Sequence, residues 1–289
     1  MEGYLKRIDL IKYVLLTGIL FVSFSCGGSD EGRDTRPADP GGNTPVVPDE
    51  NFDTLVWSDE FETNGSPDSE KWSYDIGDGC PDLCGWGNNE KQFYTQRPEN
   101  VIVEDGILKI KAKREQYEGL SFTSTRMLTK DKFEFTYGLV EVKAKLPSGG
   151  GTWPAIWMLG ANIDLAGWPA CGEIDIMEHA GNNQGEVSSA LHTPSSFGAT
   201  VNYGSQVLDD VSDEFHIYTV EWTSQKITFA VDGNIHLSYS PSNKNGNTWP
   251  FYADQFLILN IAMGGNVGGI IDANFSESAM EIDYIRVYQ

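Results

Sequence analysis

"EFHIYTVEWTSQKITFAVDGNIHLSYS", residues 214–240, alternates apolar and polar side chains on a two-residue period and is broken at Asp232-Gly233. That period places successive side chains on opposite faces of a pleated strand. An Asp-Gly pair suits the left-handed turn that joins antiparallel strands, so the stretch predicts strands folded back on one another. The same pattern recurs along the chain. "NVIVEDGILKIKAK" (100–113) turns at Glu104–Gly106, while "FEFTYGLVEVKAKLP" (133–147) and the terminal "EIDYIRVYQ" (281–289) alternate. "FLILNIAM" (256–263) is apolar enough for a strand buried on both faces. No long window has helical periodicity. Many short strands between frequent turns predict an all-β domain, built as a two-sheet antiparallel sandwich or a barrel.

The chain has 289 residues, enough for one large domain or two small ones, and no internal repeat divides it. Its formal net charge is −22, with acidic residues spread throughout. A surface this negative repels nucleic acid and anionic lipid, and would also repel a sulfated or uronate polymer. Hydrophobic residues at 40% and 31 glycines suit a compact, turn-rich fold rather than a disordered or coiled-coil one.

Residues 1–25 read as an export signal, with Lys6, Arg7 and Lys12 before the short apolar run "YVLLTGILFVSF". The run ends at "SFSCGGSDEG", which resembles a bacterial lipoprotein signal, whose cysteine, here Cys26, is lipidated. Residues 26–51 are mostly Gly, Pro, Asp and Glu and predict a flexible tether, leaving 52–289 as the folded domain. "CPDLC" can close a short disulfide between Cys80 and Cys84, and no further ligands have zinc spacing. Cys171 has no partner and reads as buried filler.

"GEIDIMEHAG" (172–181) packs Glu173, Asp175 and Glu178 into one strand. On a strict two-residue period Glu178 falls on the isoleucine face, opposite the other two. A β-bulge at Ile176–Met177 would rotate it back, since two residues then occupy one pleat position. The two glutamates would stand roughly 13 Å apart along the strand. Leaning together, their carboxyls could approach the ~5–5.5 Å of double-displacement glycoside hydrolysis. Crowding would raise the pKa of whichever carboxyl stays protonated. A solvated strand face is the competing reading, but like charges stacked on one face destabilise a sheet.

"GEIDIMEH" resembles the catalytic motif of glycoside hydrolase family 16, in the form with a bulge residue, here Met177. "WSDEF" (57–61), "GWGNNEKQFYT" (85–95), "YGLVEVKAKLPSGGGTWPAIWMLG" (137–160) and "DYIRVYQ" (283–289) resemble that family's laminarinase branch. The resemblance implies a β-jelly-roll of two curved antiparallel sheets with a concave cleft. It also implies retaining endo-hydrolysis of β-1,3-glucans, with Glu173 as nucleophile, Asp175 assisting and Glu178 as acid/base.

Trp153 and Trp157 share one strand face, which is either core or cleft wall; by the family pattern they line the cleft, with Trp168 a third sugar platform. Trp57, Trp72 and Trp222 are expected in the core. "GWGNNE" is a turn by composition and a cleft loop by resemblance, with Asn88 bonding a sugar hydroxyl and Trp86 stacking. His192 is expected either beside the catalytic strand or as a satisfied structural histidine, and His179 is expected to pack on the opposite face.

Catalysis needs no cofactor on this reading. A structural calcium is implied at Glu60, the Gly106 backbone and Asp283. The expected partners are a β-glucan and, through Cys26, a membrane, with the chain a monomer at the cell surface or facing the periplasm. Mixed-linkage glucanases, agarase- or carrageenase-type enzymes and a non-catalytic glucan-binding lipoprotein are the alternatives.

Overall fold

The computed structural model describes residues 51–289; the export signal, Cys26 and the tether up to residue 50 lie outside them. Strands β1 (Leu55–Asp59) and β2 (Ser73–Asp75) lead through a single turn of 3-10 helix at Cys84–Gly87 to β3 (Gln92–Tyr94). A three-stranded meander follows, of β4 (Val101–Glu104), β5 (Ile107–Tyr117) and β6 (Leu120–Ser124), whose first turn is Asp105-Gly106, both at positive φ. β7 (Arg126–Leu128) comes next and does not pair with β6. Next come β8 (Gly138–Lys145), β9 (Thr152–Gly160), β10 (Glu173–His179), β11 (Glu186–His192) and β12 (Tyr203–Val207).

The stretch 214–240 forms β13 (His216–Trp222), β14 (Ile227–Val231) and β15 (Asn234–Tyr239). Val231 pairs with Asn234, and Asp232 and Gly233 both take positive φ, the backbone that a two-residue hairpin turn requires. The apolar run becomes β16 (Gln255–Met263), all nine residues buried, and the C-terminus becomes β17 (Glu277–Tyr288). Helix among the described residues is confined to four-residue turns.

The strands form two sheets. The first runs β15-β14-β13-β8-β17-β5-β6-β3, with β1 also on β17 and β4 on β5; the second runs β12-β11-β10-β9-β16-β7-β2. All pairs are antiparallel except β3 with β6. The expected sandwich is present.

One core fills the space between the sheets. Tyr218, Val220 and Trp222 of β13 and Ile282, Ile285 and Val287 of β17 meet Ile174 of β10 and Leu257, Leu259 and Ile261 of β16. Trp72 and Trp222 are buried there, and Trp57 stacks on Phe133 at its margin. Cys171 is buried and free, while Cys80 and Cys84 are joined in a disulfide. The far face of the second sheet carries the polar residues considered next.

Candidate active site

Three neighbouring strands of the second sheet, β9, β10 and β11, build the site. Across β11, Glu173 pairs with His192 and Asp175 with Ala190, but Glu178 pairs with Ser188. Ile176 and Met177 therefore face Ser189 alone, two residues against one, which is a β-bulge. Against β9, Asp175 pairs with Trp157 and Met177 with Ile156. The residue passed over there is Ile176, not Met177 as the sequence motif suggests. Ile176 and Met177 both point into the core. That double inward step returns Glu178 to the face of Glu173 and Asp175.

Each catalytic-motif carboxyl has a distinct set of partners. Trp168 Nε1 donates to Glu173 Oε2 at 2.5 Å, and Trp153 Nε1 donates to Glu178 Oε1 at 3.0 Å. His192 Nε2 lies 3.1 Å from Asp175 Oδ2 and 3.8 Å from Glu173 Oε1. His192 thus belongs to the carboxylate cluster, while its Nδ1 also accepts the Gly198 N–H at 3.1 Å. His179 lies on the buried face, with Nε2 3.3 Å from the Gln184 carbonyl oxygen.

Burial dominates the electrostatics. It pushes Glu173 up to about 8, aided by the neighbouring Asp175 charge and opposed by His192 and Trp168. Asp175, buried and close to Glu178, is raised well above the usual carboxylate range, and burial raises Glu178 against the Trp153 hydrogen bond. Three adjacent carboxyls cannot all ionise in such a site. The His192 charge and the Trp168 hydrogen bond pull Glu173 down, and a hydrogen bond with Glu173 pulls Asp175 down, in each case against burial.

The aromatic residues extend this face beyond the carboxyls. Trp168 is half-exposed and meets Phe197 edge-on, with ring centroids 5.3 Å apart. Trp157 and Trp86 each hold the Arg126 guanidinium 4.8 Å from a ring centroid, and Arg126 pairs with Asp75 at 3.0 Å. Trp157 Nε1 donates to Asn260 Oδ1 at 2.8 Å, Asn260 Nδ2 to the Tyr94 hydroxyl at 3.1 Å, and Tyr94 to Glu90 Oε2 at 3.1 Å. Asn88 Nδ2 reaches Glu90 Oε1 at 3.4 Å. Burial raises the pKa of Glu90.

Sequence reasoning missed Arg126, Glu90, Tyr94 and Asn260. Glu90 and Tyr94 lie within 85–95, and Asn260 is the one polar residue of the apolar run 256–263, whereas Arg126 has no local signal.

The residues proposed for calcium are brought to one region by strand pairing. Asp59 lies opposite Ile285 and Ile282 opposite Leu108, which sets Glu60, Asp283 and the Gly106 turn around β17. Arg286 grips Glu60 with Nε at 3.0 Å and Nη2 at 2.9 Å, and Lys143 Nζ lies 2.7 Å from Asp283. As the side chains stand, neither carboxylate presents an open oxygen pair to an ion.

Two glutamates brought to one face of a sheet, flanked by indoles on an all-β sandwich, define a glycoside hydrolase. Residues 88–286 match the sequence profile of glycosyl hydrolases family 16, and the chain belongs to that family. It is 42% identical over 247 residues to a β-glucanase of Rhodothermus marinus, spanning 81% of this chain and 85% of that protein.

Solved structures agree. The laminarinase from Flavobacterium sp. UMI-01 superposes with a TM-score of 0.77 at 43% identity, covering 82% of this chain and 100% of the other. The laminarinase catalytic domain from Thermotoga maritima MSB8 gives 0.77 at 42%, covering 82% and 98%. The fold is the β-jelly-roll of these enzymes.

Proposed function

We propose that this chain hydrolyses internal β-1,3-glucosidic bonds of laminarin-like β-glucans with retention, through a glycosyl-enzyme intermediate. The observation that carries the reading is the bulge on β10, which puts Glu178 on the face of Glu173 and Asp175. In the first step the Glu173 carboxylate attacks the anomeric carbon while Glu178 passes its proton to the departing glucosidic oxygen. In the second, Glu178, now a carboxylate, takes a proton from water as that water attacks the anomeric carbon and frees Glu173. Asp175 and His192 tune the charge on Glu173 between the steps, and Trp168 holds its carboxylate in place.

Release of reducing ends from laminarin tests the reading, with Glu173→Ser as the control. Wild-type turnover that the variant lacks supports it; binding without turnover by the wild type makes the chain a glucan-binding protein instead. NMR of the first product should show the β-anomer. Early α-anomer would exclude double displacement. A product profile on laminarin, lichenan, agarose and carrageenan separates the β-1,3-glucanase from its mixed-linkage and galactanase relatives. The net charge of −22 argues against a sulfated substrate.

The export signal and Cys26 support a lipid-anchored protein at the outer membrane, facing the surface or the periplasm. Cys26→Ala should release the protein from the membrane fraction. Calcium at Glu60, the Gly106 carbonyl and Asp283 would have to displace Arg286 and Lys143. A melting temperature lowered by EDTA and restored by calcium would support that site. The chain is proposed to act as a monomer, which sedimentation tests.

A further inference from the structure

At the bulge on β10 a backbone carbonyl takes a side-chain donor from the neighbouring strand. Ile176 and Met177 together face Ser189, so the ladder cannot pair both peptide units in the usual register. The Ile176 carbonyl accepts the Ser189 hydroxyl at 2.7 Å. Ser189 is fully buried, on the core side of β11, away from the cleft.

A hydroxyl carries one proton and a carbonyl can only accept. Ser189 commits its proton to Ile176, so its oxygen must accept from His236 Nε2, which lies 2.8 Å away. The contact fixes the tautomer of His236 with hydrogen on Nε2. His236 belongs to β15, the edge strand of the opposite sheet. It reaches Ser189 because the residue paired with Ser189 on β12 is Gly204. A Cβ at Gly204 would stand 2.5 Å from the His236 carbonyl oxygen. The missing side chain lets the edges of the two sheets close there.

We propose that Ser189 and His236 are positioning residues that lock the catalytic bulge and thereby aim the Glu178 carboxyl at the leaving oxygen. Neither touches substrate. Glu178 follows the bulge directly, so its direction depends on the peptide that Ser189 holds. The inference rests on the assignment of Glu178 as acid/base.

The test compares kcat/KM for two aryl β-laminaribiosides, one losing 2,4-dinitrophenolate and one losing phenolate. Dinitrophenolate departs without a proton, whereas phenolate needs the acid. General acids contribute about 10²–10⁴-fold, so partial mis-aiming in Ser189→Ala should cost about 10- to 100-fold on the phenyl substrate and under about 3-fold on the dinitrophenyl one. His236→Leu should fall in the same direction. His236→Gln, whose side-chain Nε2 also donates, should restore the wild-type ratio between the substrates.

Equal losses on both substrates, or a folded Ser189→Ala with no loss on either, would overturn the lock. If Ser189→Ala is recovered unfolded, the two His236 variants give the same readout. A wild type that cleaves neither glycoside nor laminarin would instead overturn the hydrolase reading, which separates the two failures.

Discussion

Trp153→Phe isolates one hydrogen bond at the acid/base. The indole Nε1 of Trp153 donates to Glu178 Oε1 at 3.0 Å, which favours the ionised carboxyl and works against the burial that raises it. Phenylalanine keeps an aromatic ring against the cleft but has no N–H. Hydrogen bonds to charged groups contribute about 1.5–3 kcal/mol, and one pKa unit corresponds to about 1.4 kcal/mol. Losing this bond should therefore raise the pKa of Glu178 by about one unit or more.

The acid form of Glu178 then survives to higher pH. The alkaline limb of kcat/KM against pH, measured by initial rates on laminarin, should move up by about one unit. The acid limb, which follows the nucleophile, should hold its place. The height of the profile is free to fall, because the indole also walls the cleft; the limb position is the readout. An alkaline limb that stays fixed or moves to lower pH would refute the reasoning.

Glu173→Gln should stabilise the protein increasingly as pH rises from about 4.5 to about 8. Over that window the folded Glu173, at about 8 against an ordinary 4.5, binds more protons than the unfolded chain, so wild-type stability falls with pH. Melting temperatures at pH 5 and pH 8 check it, with a gain of at least about 1.4 kcal/mol expected at the higher pH. Deleting Met177 should remove the bulge, return Glu178 to the isoleucine side and abolish turnover; a folded, active deletion variant would contradict the register described here. Arg126→Leu should free both the Trp86 and Trp157 rings from their shared cation and raise KM for laminarin more than it lowers kcat.

Much of the architecture was legible because it is written in local periodicity. The hairpin at Asp232-Gly233 and the apolar β16 follow from side-chain alternation and turn chemistry, both short-range properties. The bulge was legible for a subtler reason: Glu178 has the wrong parity, and a charge pointed into a core demands a correction. Which of Ile176 and Met177 is passed over depends on β9, a neighbour the motif does not contain.

The same limit hid the chain of contacts from Trp157 through Asn260 and Tyr94 to Glu90. Its members come from β9, β16, β3 and the loop before β3, and they meet only when the strand order is known. Arg126 is a lone arginine in the sequence and gains meaning only between two indoles. Ser189 and His236 were equally silent, since one lies in a plain alternating strand and the other in a hairpin of the opposite sheet.

The last strand of the chain sits in the middle of the first sheet. β17 pairs with β8, β5 and β1, all of which precede it, and Gln289 closes the ladder against Thr54 with hydrogen bonds in both directions. A chain without the twelve residues of β17 therefore has the flanks of a sheet and no centre. Long-range pairing of this kind is slow because a large loop must close first. The first sheet can therefore close only once β17 is in place between β8 and β5, so its two flanks are joined by the strand that comes latest to both.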